Sequence, residues 1–163
     1  MKYRQFEDLP VWQEAADLAR LMFEFTTLEE FRRHPGLRDQ LERAALSISN
    51  NIAEDFERGT TNELLAFLYI SRGSAGEVRS MLRILESWKA FGNYKSQISD
   101  LRLRSERISK QLYGWIEQLK RSDIRGQRHF DEKKKFAYTN RKERDEFLEE
   151  LSRITGKPQG SKL

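Results

Sequence analysis

The strongest constraint on the fold of this chain is an apolar heptad repeat that occurs in four separate segments. The repeated positions follow one another at alternating steps of three and four residues, except in the second segment, where the last three steps are all of four residues. The four rows are Val11, Ala15, Leu18, Met22 and Phe25; Leu37, Leu41, Ala44, Ile48, Ile52 and Phe56; Leu64, Leu68, Ser71, Ala75, Val78, Leu82 and Leu85; and Ile98, Leu101, Ser105, Ile108, Leu112, Trp115 and Leu119. A period near 3.5 predicts helices that pack along their length at small crossing angles.

The breaks between the four segments are short and contain residues that start or stop helices. Asp8 and Pro10 suit the start of the first helix, and Gly59 and Gly92 suit the ends of the second and third. Short connections favour antiparallel neighbours. The sequence therefore predicts an all-α fold: an antiparallel up-down-up-down four-helix bundle over residues 8–121, with a C-terminal extension over residues 122–163.

The extension differs from the bundle in charge and in pattern. Residues 122–163 hold 11 Lys/Arg against 8 Asp/Glu. Near its end a short amphipathic helix is predicted, with apolar residues on one side: Phe147, Leu148, Leu151 and Ile154. Because so short a helix is marginal alone, we expect it to dock on a partner or to stay partly disordered.

The third helix has more apolar surface than one core row requires. Two further rows run along it: Phe67, Met81 and Trp88, then Ile70, Ile84 and Phe91. A helix that is apolar on several faces is usually buried on several faces. Two interpretations stay open: this is the central helix of the bundle, or one row faces another subunit.

The second helix carries a polar stretch, SISNNIAED, where helix-forming residues would be expected. Its polar stripe comprises Arg43, Ser47, Asn50 or Asn51, Glu54 and Arg58; the third helix offers Gly73, Ser74, Gly76 and Glu77. Glycines inside a helix cost about 1 kcal/mol each against alanine, a cost that close backbone approach can offset. We interpret the two stretches as a tight helix–helix contact with hydrogen bonds across it.

A catalytic interpretation of the same residues is less favoured. Glu54 and Glu77 would have to form a carboxylate pair, but no histidine, cysteine or lysine stands beside them at a useful spacing. The chain has no cysteine and only two histidines, His34 and His129, which gives no basis for a metal or cofactor site. We therefore expect a protein that is not an enzyme. Without an apolar segment of membrane length or a signal peptide, the expected compartment is the cytoplasm.

Three stretches resemble a known bacterial family: FEDLPVWQEA, GLRDQLERAALSISNNIAED and NELLAFLYISRGSAGEV. The family is the four-helix bundle proteins encoded in intervening sequences of 23S ribosomal RNA genes, to which the variability accessory proteins of diversity-generating retroelements are similar in architecture. The resemblance implies a cytoplasmic bundle that assembles as a homopentamer and associates with nucleic acid or ribonucleoprotein. It also implies a role beside ribosomal RNA or a reverse transcriptase.

Basic residues that could contact a nucleic-acid backbone fall into several clusters. The candidates are Arg32, Arg33 and Arg38 with His34; Arg104, Arg107 and Lys110 with Arg102; Lys120, Arg121, Arg125 and Arg128; and Lys133, Lys134 and Lys135. No sequence-reading motif accompanies them, so RNA or DNA would be bound by charge and shape. The alternative function is a protein–protein adaptor whose C-terminal helix docks on a partner protein.

Overall fold

The computed structural model describes Tyr3, residues 5–58 and residues 61–121, and these residues form four long helices. The helices are α1 (Pro10–Phe25), α2 (Pro35–Arg58), α3 (Thr61–Ser87) and α4 (Lys95–Arg121). Short 3-10 helices precede α1 and follow α1 and α3, at Phe6–Asp8, Glu29–Arg33 and Lys89–Tyr94. Pro10 takes the first position of α1, where its missing N–H costs nothing, and Leu9 rather than Asp8 is the N-cap.

Contacts between the helices establish the antiparallel arrangement. Each helix packs against the next one in the chain, and α1 also packs against α4. Along the α3–α4 pair, Tyr69 near the start of α3 meets Lys120 near the end of α4, whereas Glu86 near the end of α3 meets Arg102. The predicted up-down-up-down four-helix bundle is confirmed. The extension over residues 122–163 stays a prediction, because it lies outside the described residues.

The four predicted apolar rows form the core. Of these positions, those at the centre of each helix are buried, including Leu18, Ile48, Val78 and Ile108. Exceptions occur at helix ends, where Leu37 and Phe56 are half-buried, and in α4, where Ile116 is buried in place of the half-buried Trp115. Packing of these rows supplies most of the stability of a bundle, since each helix alone would be marginal.

Aromatic side chains close one end of the bundle. Phe25 at the end of α1, Phe31 in the following 3-10 helix and Phe91 after α3 are all fully buried and contact one another edge-on or at a tilt. Trp88 packs on Phe91 at 5.5 Å and on His34 at 4.6 Å between ring centres. Because α3 ends at Ser87, two residues of its predicted extra apolar rows, Trp88 and Phe91, belong to this end cluster instead.

Serine side chains link α2, α3 and α4 at the middle of the bundle. Ser71 Oγ donates to the carbonyl of Ile48 (3.1 Å), and Ser105 Oγ donates to the carbonyl of Ala75 (2.8 Å). Both serines are fully buried at heptad positions. Beside them, the hydroxyls of Ser47 and Ser74 lie 3.0 Å apart. The predicted hydrogen-bonded contact between the second and third helices is therefore present, and the serines form it.

The glycine part of that prediction is wrong. A Cβ added at Gly73 or at Gly76 would have no atom within 4 Å, so neither glycine lies at a close backbone approach. Four predicted members of the contact are exposed: Arg43, Asn50, Glu54 and Glu77. Asn51 Nδ2 donates within α2, to the carbonyl and the hydroxyl of Ser47 (2.7 and 2.9 Å). The contact between α2 and α3 therefore depends on the short side chains of serines, not on glycines.

Gly73→Ala tests this assignment through stability. Gly73 is exposed in the interior of α3, so alanine should raise the free energy of unfolding by up to about 1 kcal/mol through helix propensity. Urea unfolding followed by circular dichroism measures it. The matched change at a buried neighbour, Ala75→Gly, should lower stability by at least as much. A Gly73→Ala protein less stable than the parent would restore the close-approach interpretation.

Ser105 should tolerate alanine better than leucine. Ser105→Ala removes one hydrogen bond to a carbonyl that the α3 helix already satisfies, a loss of about 1 kcal/mol. Ser105→Leu overfills the α3–α4 contact, which we expect to cost about 1–3 kcal/mol. The exposed Ser80→Leu is the control and should be close to neutral. Equal stability of Ser105→Leu and the parent would show that the helices do not approach closely here.

Candidate nucleic-acid interface

Charge is distributed unevenly among the four helices. The α4 helix carries seven Lys/Arg against three Asp/Glu, and α3 carries three of each. By contrast, α1 carries one against three, and α2 three against five. Among the four helices, α4 is therefore the one that carries an excess of positive charge.

The predicted basic residues of α4 do not share one surface. Arg104 pairs with Asp100 (2.7 Å), a contact that raises the pKa of the guanidinium. Arg107 pairs across to Glu14 of α1 (3.3 Å), and Gln111 donates to the same carboxylate. These residues therefore face the α1 side of α4.

Lys110 belongs with another group. Its Nζ lies 2.8 Å from Glu106, which also meets Arg102 (3.9 Å). Since Arg102 bonds to Glu86 of α3 (3.2 Å), this group faces the α3 side of the helix. The structure thus divides the predicted α4 cluster between two neighbouring helices.

The predicted cluster after α1 is balanced by carboxylates. Arg32 pairs with Glu29 (2.9 Å), and Arg38 pairs with Asp39 (3.1 Å) and lies 3.9 Å from Glu42. Arg33 is exposed and makes no ion pair within the described residues. This region offers one unpaired cation rather than a basic patch.

Lys120 and Arg121, at the end of α4, both contact Glu117, at 3.1 and 4.0 Å. Lys120 also lies over the ring of Tyr69, 5.5 Å from its centre, and a hydrogen bond with the phenol is the main cause that raises the pKa of this lysine. The other predicted residues lie outside the described residues: Arg125, Arg128, Lys133, Lys134, Lys135, Phe147, Leu148, Leu151 and Ile154.

The groove between the outer faces of α3 and α4 brings together six basic residues, and the three that α3 supplies were not predicted from the sequence. We call it the α3–α4 seam. It comprises Tyr69, Arg72, Gly76, Arg79, Ser80, Arg83 and Glu86 of α3, with Arg102, Glu106, Lys110, Tyr113 and Lys120 of α4. Part of the seam is an open cleft of about 390 Å³, lined by Gly76, Arg79, Ser80, Arg83, Arg102 and Glu106.

Shared carboxylates leave the cleft with excess positive charge. Glu86 accepts hydrogen bonds from both Arg83 (2.8 Å) and Arg102 (3.2 Å). Both contacts lower the pKa of Glu86, and the hydrogen bond from Arg83 is the larger cause. The Lys110 ammonium is the main cause that lowers the pKa of Glu106. A carboxyl with a lowered pKa stays ionised at neutral pH and gains its proton only as the pH falls below the usual range near 4.5.

Arg79 differs from its neighbours in the cleft. It is near enough to Glu106 to help lower the pKa of that carboxyl, yet within the described helices it makes no ion pair at 4.0 Å or less. Around the cleft, Arg79, Arg83, Arg102 and Lys110 thus face two carboxylates. Such an arrangement can accept an anion with little rearrangement, since guanidinium groups pair with phosphate oxygens through two parallel hydrogen bonds.

Sequence reasoning missed Arg72, Arg79 and Arg83 because it considered the apolar rows and the small residues of α3 but not its basic residues. A signal was present: Arg72 and Arg79 stand one heptad apart, as do Tyr69, Gly76 and Arg83. Residues at this spacing share a face of the helix.

The possible carboxylate pair is not assembled. Ser74 of α3 is level with Ser47 of α2, and the helices are antiparallel. Glu77 therefore lies three residues from that level in one direction and Glu54 seven residues in the other, which separates them by about 15 Å along the bundle.

Two other kinds of site are absent from the described residues. No helix there is both long enough and apolar enough to span a membrane. Nor do three or more His, Asp or Glu side chains gather in that part of the chain where a metal ion could be held.

Comparison with known proteins bears on the family of this chain. A search of curated proteins returned no significant match. Residues 7–122 match the family described as 23S rRNA-intervening sequence protein. This range contains all four helices and the α3–α4 seam. The chain therefore belongs to the 23S rRNA-intervening sequence protein family.

Proposed function

We propose that this protein binds RNA or DNA through the α3–α4 seam, by charge and shape and without catalysis. The observation that carries the proposal is the open cleft at which four cations face two carboxylates. An anionic polymer with regularly spaced phosphates is the partner that such a cleft fits. The family description, which refers to ribosomal RNA, is compatible with an RNA-associated role.

The shape of the cleft supports phosphate contact. Gly76 has open space where a side chain would stand, so a ligand can approach the α3 backbone there. Arg83 is 66% exposed and can swing towards a phosphate, whereas Arg102 is only 18% exposed and is held between two carboxylates. The cleft thus combines a fixed cation with a mobile one.

Self-association belongs to the proposal as well. Ile70, Ile84 and Leu103 are each about half exposed, and apolar residues of this size on helix faces are typical of interfaces. We propose a homo-oligomer, with the pentamer implied by the family resemblance as its form, acting in the cytoplasm beside ribosomal RNA or as an accessory to a reverse transcriptase. Several copies of the seam would multiply a weak phosphate contact.

The adaptor hypothesis has a different basis. It depends on the predicted C-terminal helix, with Phe147, Leu148, Leu151 and Ile154, which lies outside the described residues. It stays a prediction, and the seam gives it no support because the seam is polar and charged.

Salt dependence tests the proposed binding. At low salt the full chain should bind a labelled RNA, and the logarithm of the association constant should fall linearly with the logarithm of the salt concentration. Arg79→Gln should reduce the magnitude of that slope by about 1, the change expected for one lost phosphate contact. Arg20→Gln on α1 removes the same charge away from the seam and should leave the slope unchanged. Absence of binding at low salt, or binding that salt does not weaken, would refute the proposal.

Neutralising one carboxylate should identify the surface that binds. Glu86→Gln releases Arg83 and Arg102 from their shared partner, so RNA should bind about three-fold more tightly at low salt, as expected for one charge acting across ~6 Å of water. Glu14→Gln is the matched change on the α1 side, where it releases Arg107, and should have a smaller effect. Fluorescence anisotropy measures both. A larger gain from Glu14→Gln would place binding on the α1–α4 side instead.

A further inference from the structure

Two tyrosines of the seam are exposed to solvent. Tyr69 is 44% exposed on α3, and Tyr113 is 50% exposed on α4. Each is accompanied by a cation from the facing helix: the guanidinium carbon of Arg72 lies 4.9 Å from the centre of the Tyr113 ring, and Lys120 lies over Tyr69. Cation contacts of this kind are weakly attractive at exposed sites.

The tyrosines stand in line with the arginine cleft. Tyr69, Gly76 and Arg83 follow one another at heptad spacing, so they lie along one flank of α3. From Tyr69 to Arg83 the distance along the helix is about 21 Å at 1.5 Å per residue. Tyr113 is level with Arg72, between Tyr69 and the cleft. The two tyrosine rings therefore lie at one end of the seam, and the cleft with its excess of positive charge lies at the other end.

We propose that the α3–α4 seam is a track for single-stranded nucleic acid, with bases stacked on Tyr69 and Tyr113 and a phosphate held in the arginine cleft. The inference rests on the proposed function and names the class of nucleic acid. Proteins that bind single strands combine a basic groove for the backbone with aromatic rings for the bases, and stacking tolerates every base because each has a π face. Arg72 would lengthen the stack, since guanidinium planes also pack on aromatic rings.

A duplex would use the seam less well. In a double helix the faces of the bases are covered by their neighbours in the stack, so exposed tyrosines can meet only the edges or the sugar–phosphate chains. Phosphates of a duplex could still reach Arg79 and Arg83, but the two tyrosines would contribute little. The difference in affinity between single strand and duplex therefore reports on the tyrosines.

The test compares three labelled probes on the full chain at one salt concentration. They are two complementary single strands of about 12 nucleotides with mixed, G·C-containing sequence, within the range of known single-strand sites, and the stable duplex that the two form. Both single strands should bind more tightly than the duplex. Tyr113→Leu should weaken single-strand binding at least about five-fold, the loss expected for one stacked base, and should change duplex binding little. Leucine keeps the helix propensity and most of the apolar volume.

Phe23→Leu is the control variant, because Phe23 is 41% exposed on α1 and lies outside the seam. It should leave all three affinities unchanged, and thermal unfolding should show that both variants fold. Duplex binding as tight as single-strand binding, or a Tyr113→Leu protein with parental affinity, would overturn the single-strand inference while Arg79→Gln still tests the proposed function. Absence of binding to all three probes would overturn both.

Discussion

The seam depends on how closely α3 and α4 approach, and serine side chains set that approach. Ser105 stands at a heptad position where a bundle of this kind would usually place leucine, and its hydroxyl bonds to the backbone of α3. Ser71 makes the equivalent bond to the backbone of α2. A hydroxyl short enough to reach a neighbouring carbonyl requires the two helices to pack tightly, and a hydrogen bond in a buried layer fixes their axial register.

That register determines which surface residues face one another. With Ser105 bonded at Ala75, Arg102 falls beside Glu86, and Arg72 falls beside Tyr113. A shift of one helical turn would separate these pairs by about 5.4 Å and would distribute the charge of the cleft differently. The buried serines therefore influence which arginines and carboxylates meet on the outer surface, because both depend on the same helix register.

The sequence predicted the fold well because the fold follows from apolar periodicity. The core rows and the four helices result from burying one apolar stripe of each helix, and the antiparallel order follows from the short connections between the helices. The prediction of a close approach at the glycines was wrong because it considered their nearness in sequence to the buried residues but not their angular position on the helix. Gly73 stands two residues after the buried Ser71, about 200° around the helix, and so faces outward.

The site was harder to predict because its residues come from two helices. Whether Arg83 and Arg102 share a carboxylate depends on the register of α3 against α4, and heptad rows do not specify register. The basic residues of α4 were recognised from the sequence, but their division between the α1 side and the α3 side was not, since it depends on the positions of Glu14 and Glu106. Which charged residues share a surface can therefore be predicted only when the packing of the helices is known.

The central claim, that nucleic acid lies along the α3–α4 seam, can be tested by photo-crosslinking from single cysteines, because the natural chain has none. A cysteine-directed photo-crosslinker would be attached to Ser80→Cys in the cleft, to Asn50→Cys on α2 and to Gln118→Cys on α4, all exposed positions. Irradiation with a labelled single-stranded RNA should give the highest crosslinking yield for Ser80→Cys. An equal or higher yield for Asn50→Cys or Gln118→Cys would contradict the account.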